Sequence, residues 1–100
     1  MNGTQIMNQV ITYNTDELNS IKLQMASFLD KMATAIAPAK EKGMSKSDLQ
    51  AQADTAIRRQ MNRILSDKTS YMVERDGKPA LLGIGAPVVN AIIELFNSQI

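Results

Sequence analysis

The chain has 100 residues, 44% apolar and 4% aromatic, and its 11 basic and 10 acidic side chains leave a net charge of +1; this is one small domain or half of a symmetric pair. It has no Cys, His or Trp, which excludes disulfide frameworks, thiolate nucleophiles, zinc fingers, iron–sulfur sites and the ordinary neutral-pH acid–base residue. Near-balanced charge provides no molecule-wide field toward nucleic acid or membrane.

Residues Met1 to Asn14 contain no Lys or Arg and no apolar run of signal-peptide length, so the expected location is cytoplasmic. This stretch, 1–14, reads as a polar lead. Gln9-Val10-Ile11-Thr12-Tyr13 has strand character, yet Ile6, Met7, Val10 and Ile11 fit one face of a helical turn equally well.

A helix is expected over 15–37. Asn14 or Thr15 can cap it, Asp16 and Glu17 suit the positive end of its dipole, and Asn14 with Glu17 has capping-box spacing. Leu18, Ile21, Met25, Phe28, Met32 and Ile36 recur at steps of three and four and share one face, widened by Leu29 and Ala35. Pro38 is expected to stop or kink it. A second helix is expected over 45–66. Ser45 caps it, Met44 and Leu49 make a hydrophobic staple, and Leu49, Ala53, Ala56, Ile57, Met61, Ile64 and Leu65 form its buried face. The short connection predicts an antiparallel helical hairpin.

From residue 70 the period changes. Tyr71 to Arg75 and Lys78 to Leu82 flank Asp76-Gly77, a type I′ turn sequence, so a β-hairpin is expected over 70–82 with Pro79 keeping its strand at an edge. Gly83-x-Gly85 and Pro87 lead into a helix over 87–97, where only Asn90, Glu94 and Asn97 are polar. The expected fold is a single mainly α (α+β) domain: an antiparallel helical hairpin, a short β-hairpin and a C-terminal apolar helix.

Chemistry-bearing groups are sparse. The ten acids show no spacing that places two carboxylates across a cleft, and several have capping or turn roles. Ser and Thr lack a base partner. Gly83-x-Gly85 lacks the third glycine and the lysine of phosphate loops, and reads as a strand-to-helix turn. No catalytic residue, cofactor or metal is expected, and the chain is read as non-enzymatic. Arg58, Arg59 and Arg63, with Lys68 beyond them, form a basic cluster. They are either a solvated helix face with partners such as Asp54 and Asp67, or nucleic-acid contacts. The methionines, seven in all, suit core gap-filling or an adaptable binding surface.

The last helix dominates the functional reading. A helix apolar on most sides must be wrapped by the rest of the chain or covered by a partner. A homo-oligomer, most simply a dimer, is expected, with Val88, Val89, Ile92, Ile93 and Phe96 near its interface.

Val73-Glu74-Arg75-Asp76-Gly77-Lys78-Pro79-Ala80-Leu81-Leu82, followed by Ala91-Ile92-Ile93-Glu94-Leu95-Phe96, resembles the hairpin and following helix of Phd/YefM (prevent-host-death) antitoxins. In that family an Arg-x-Gly-Lys-Pro turn links two strands and an apolar helix follows. The resemblance is confined to residues 73–96 and implies a dimer, operator binding and a toxin partner. Arg58, Arg59 and Arg63 correspond to no position of the family.

Three functions follow as expectations. The first is a macromolecule-binding accessory protein, an inhibitor, adaptor or regulator of phage or mobile-element type, acting as a homo-oligomer on an unidentified protein partner. The second is a dimeric, antitoxin-like DNA-binding regulator using Arg58, Arg59 and Arg63. The third is a membrane-active protein inserting 79–96, a reading weakened because its uncharged run falls short of the about 20 residues a spanning helix needs.

Overall fold

A computed structural model describes residues 1–12, 14, 16–66, 72–75, 78–81 and 86–100; at 66, 72–75, 78–81 and 86 it describes main chain alone. The helices are α1 (Gly3–Val10), α2 (Asp16–Glu41), α3 (Lys46–Ser66) and α4 (Ala86–Asn97). α1 packs on α2, α2 on α3, α3 on α4 and α4 back on α1, so the four close a ring around one core.

The expected α+β class is therefore corrected to a helical one, and the β-hairpin is withdrawn as a component of the architecture. Between α3 and α4, β1 (Met72–Arg75) and β2 (Lys78–Leu81) are described by main-chain antiparallel pairing only, and Asp76-Gly77 falls outside the described residues. Two four-residue segments make no sheet that could serve as a layer. Among the described residues the core is built by helices and the segments flanking them.

The lead read as polar supplies the fourth helix. Asn2 Oδ1 accepts from the Gln5 backbone N–H at 2.9 Å, and Gln5 Oε1 accepts from the Asn2 backbone N–H at 2.8 Å. This reciprocal capping box satisfies two donors and starts α1. Its face of Ile6 and Met7, with Ile11 just beyond, is buried. The helical alternative for this segment prevails because those side chains land on one face against α2 and α4.

α2 begins at Asp16 and buries Leu18, Ile21, Met25, Ala26 and Leu29. Phe28, Met32 and Ile36 are only half-buried against the core. Burial shifts toward Ala26 and Leu29 because α1 crosses there. Asn14 Oδ1 accepts from the Asn19 side-chain amide at 2.8 Å. Pro38 does not end the helix, which runs to Glu41. The carbonyl deprived of a donor by Pro38 belongs to exposed Thr34, where water can meet it. The helix ends instead at Gly43, with φ of 93°. Met44 N–H donates to Ala39 O and Gly43 N–H to Lys40 O, each at 3.1 Å, a Schellman closure. Gly43→Ala would force a Cβ into left-handed backbone, and the expected loss is about 1 kcal/mol, measured by urea titration.

Ser45 caps α3 as expected: its Oγ accepts from Asp48 N–H at 3.1 Å, and Leu49 is buried. Ala53, Ile57, Met61 and Ile64 continue the inward face, while Ala56 and Leu65 are half-buried. Met7, Met25 and Met61 have no exposed surface, which puts three methionines to use as fillers between helices.

α4 is Ala86–Asn97. Ile92, Ile93 and Phe96 lie in the protomer's own core, and Val88 and Val89 are half-buried against it. No described helix is long and apolar enough to cross a membrane.

Candidate functional site

The residues expected to carry function fall on two helices. α4 comes first. Its polar stripe docks along α3 rather than facing open solvent throughout. Arg58 Nη2 donates to Asn90 Oδ1 at 3.0 Å, and Gln50 Nε2 donates to Asn97 O at 3.1 Å. Eight residues on α3 and seven on α4 separate these ties, about 12 and 10 Å of helix. The two helices therefore run antiparallel and in step. Three of the five residues expected at a homo-oligomer interface, Ile92, Ile93 and Phe96, are consumed by this packing. Only Val88 and Val89 keep partial exposure. Ile92, Ile93 and Phe96 are thus buried within one protomer, while Val88 and Val89 are half-buried.

The arginine cluster divides. Arg58 is a tie: its Nε donates to Asp54 Oδ1 at 2.7 Å while its other arm reaches Asn90. With Asp four residues N-terminal to Arg the pair suits the helix dipole, though both side chains are 40–50% exposed and such a pair contributes little to stability. Arg59 and Arg63 are exposed on the side of α3 away from the core. Lys68 lies outside the described residues.

Around Arg59 and Arg63 the structure gathers a face that charge counting misses. Gln52, Thr55, Arg59, Asn62 and Arg63 are all exposed, and their spacing of three, four, three and one puts them on one side of the helix. The stripe covers about 16 Å. Between Ala51 and Leu65 the only acid is Asp54, and it is engaged by Arg58. A shallow depression of about 340 Å³, lined by Ala51, Gln52, Thr55, Ala56 and Arg59, runs along it. Thr55 Oγ1 donates to Ala51 O at 3.1 Å, so its hydroxyl is left to accept. Asn62 was legible from its position opposite Leu49 and Ala53, whereas Gln52 borders the buried face, three residues from Leu49.

A second surface was also missed. Leu23 is 70% exposed beside a groove of about 260 Å³ between α1 and α2, lined by Thr4, Met7, Asn8, Asn19, Lys22 and Ala26. Its trace in the sequence is an apolar residue off the stripe of Leu18, Ile21 and Met25.

Among the described residues no buried polar or charged side chain occurs, and no three of His, Cys, Asp and Glu gather to hold a metal. Neither a family model, a curated protein nor a solved structure matches the chain.

Proposed function

We propose that this is a non-enzymatic macromolecule-binding protein, an inhibitor, adaptor or regulator, that engages an anionic partner through the outer face of α3. The observation that carries the reading is that face itself. It combines two outward arginines with Gln52 and Asn62, has the flanking Asp54 engaged by Arg58 with Asp48 one turn before Gln52, and contains no apolar side chain larger than Ala51 and Ala56. Clustered cations on a rigid helix attract polyanions even when net charge is close to zero, because the local field, not the total, acts at contact distance.

Chromatography on immobilised heparin tests this without knowledge of the natural partner. Retention is expected at about 0.15 M salt, with release as salt rises, and Arg59→Glu with Arg63→Glu is expected to pass through unretained. A wild-type chain that flows through at about 0.05 M salt overturns the reading.

A further inference from the structure

We infer that Asn2-Gly3 is a site of self-modification: the asparagine deamidates through a succinimide when α1 leaves α2, and Asp30 holds the reaction closed in the folded chain.

Of the seven asparagines only Asn2 precedes a glycine. The reaction needs water and no enzyme. The Gly3 backbone nitrogen gives its proton to hydroxide and attacks Cγ of Asn2. The new C–N bond closes the succinimide ring, and the bond from Cγ to the side-chain nitrogen breaks as that nitrogen takes a proton from water and leaves as ammonia. Water then adds to one of the two ring carbonyls. Opening gives aspartate, or isoaspartate, in which the main chain runs through Cγ and is longer by a carbon. Glycine favours the ring closure because it has no Cβ to crowd the attacking nitrogen.

The fold holds every atom that must move. Gly3 lies in the first turn of α1, where N–H groups have no partner inside the helix. Its N–H donates instead to Asp30 Oδ1 on α2 at 2.8 Å. Taking that proton away would set a nitrogen anion beside a carboxylate, which electrostatics opposes. The carbonyl of the same peptide, Asn2 O, accepts from Ile6 N–H at 3.1 Å. Both polar atoms of the Asn2-Gly3 peptide are thus bonded, and its plane is fixed. The side chain is fixed as well, since Asn2 Oδ1 accepts from Gln5 N–H at 2.9 Å. Gly3 is itself buried against the Ala26 backbone, away from base.

The labile pair follows from two structural demands. Asn2 is the cap of α1, and Gly3 is where α1 comes too close to Ala26 for any Cβ. Isoaspartate at position 2 would shift the capping oxygen away from Gln5 N–H, and the helix that seats Ile6 and Met7 would lose its start. Local opening of α1 then becomes irreversible, because the opened form is consumed.

The test holds purified protein at mildly alkaline pH, in native buffer and in guanidinium chloride. Mass spectrometry follows the replacement of amide by acid in the peptide that carries Asn2. Isomerisation at Asp76-Gly77 leaves the mass unchanged and does not interfere. Folded wild type should deamidate at least about tenfold more slowly than the denatured chain, the factor expected from one hydrogen bond to a charged group. Asp30→Ala should speed the folded reaction by at least about tenfold, and Asp30→Asn, which keeps an acceptor without the charge, by less. In guanidinium all three chains should react at one rate. Amide hydrogen exchange separates a lost bond from a lost fold: in Asp30→Ala the Gly3 amide should lose protection while those of Met25 and Ile57 keep theirs. Folded wild type reacting as fast as the denatured chain overturns the inference, and so does an Asp30→Ala chain that reacts no faster than wild type. If Asp30→Ala unfolds throughout, Asp30→Asn decides: acceleration supports the role of Asp30, and an unchanged rate overturns it.

Discussion

Ile92→Ala is expected to destabilise the protein by about 2–5 kcal/mol, the range for truncating a buried branched side chain without collapse of the cavity. Ile92 has no exposed surface and sits in the described core with residues of α1, α2 and α3. In a domain of 100 residues the thermal midpoint should fall by at least about 8 °C. The same experiment addresses the sequence-based expectation of an α4-mediated dimer. If α4 is buried within its own protomer, the midpoints of wild type and variant should not depend on protein concentration. A loss below about 1 kcal/mol would contradict the burial of Ile92, and a wild-type midpoint that climbs with concentration would show that a second copy adds cover to α4.

Gly3→Ala should be nearly as damaging, through a different mechanism. A Cβ at Gly3 would stand 2.8 Å from the Ala26 carbonyl carbon and 2.9 Å from its Cα, and closer still to its oxygen. These are backbone atoms of α2, so no side-chain rotation relieves the overlap. α1 must move away. In doing so it lengthens the 2.8 Å bond from Gly3 N–H to Asp30 Oδ1 and withdraws Ile6 and Met7 from the core. Overpacking of this kind costs about 1–3 kcal/mol, equivalent to roughly 5–20 °C in the midpoint. Thr4→Ala, one residue on and exposed, should change stability by no more than about 0.5 kcal/mol. Chemical denaturation of the pair measures the contrast. Equal stability of Gly3→Ala and wild type would mean that α1 does not lie so close to α2.

The two results bear on function because α1 and α4 complete the support for α3. α3 is held at one side by α2 and at the other by α4, and α4 is braced in turn by α1. Loss of either packing contact should loosen the helix that carries Arg59 and Arg63 before it alters those residues themselves.

The long helices were legible from local rules. Leu18, Ile21 and Met25 on α2, and Ala53, Ile57 and Met61 on α3, repeat with helical period and are buried. Ser45 announced the start of α3 through its side-chain oxygen, a property of one turn of chain. Pro38 shows where such rules stop. Its missing donor disfavours a helix, but the affected carbonyl is at the surface, and the end was decided by Gly43 and its two closing bonds. The first helix was ambiguous for a related reason. Gln9 to Tyr13 has strand character while Ile6, Met7, Val10 and Ile11 fit a helical face, and the capping box of Asn2 and Gln5 together with packing against α2 and α4 selects the helix.

The outer face of α3 divides in the same way. That Arg58, Arg59 and Arg63 share one helix follows from sequence and period. That Arg58 serves Asp54 and Asn90, leaving Arg59 and Arg63 with Gln52 and Asn62 on the outward side, requires knowing which side of α3 meets α4.

By itself, then, the order of residues determined the three longer helices, the apolar stripes of α2 and α3, and the cap that begins α3, because those depend on contacts within a few residues along the chain. Tertiary structure alone decided that Ile92, Ile93 and Phe96 of the C-terminal helix enter the core of its own protomer and that the fold class is helical. Both depend on which faces meet across distances of up to ninety residues in sequence, as where α1 closes the ring on α4, and burial there is settled by the joint geometry of four helices rather than by the hydrophobicity of any one.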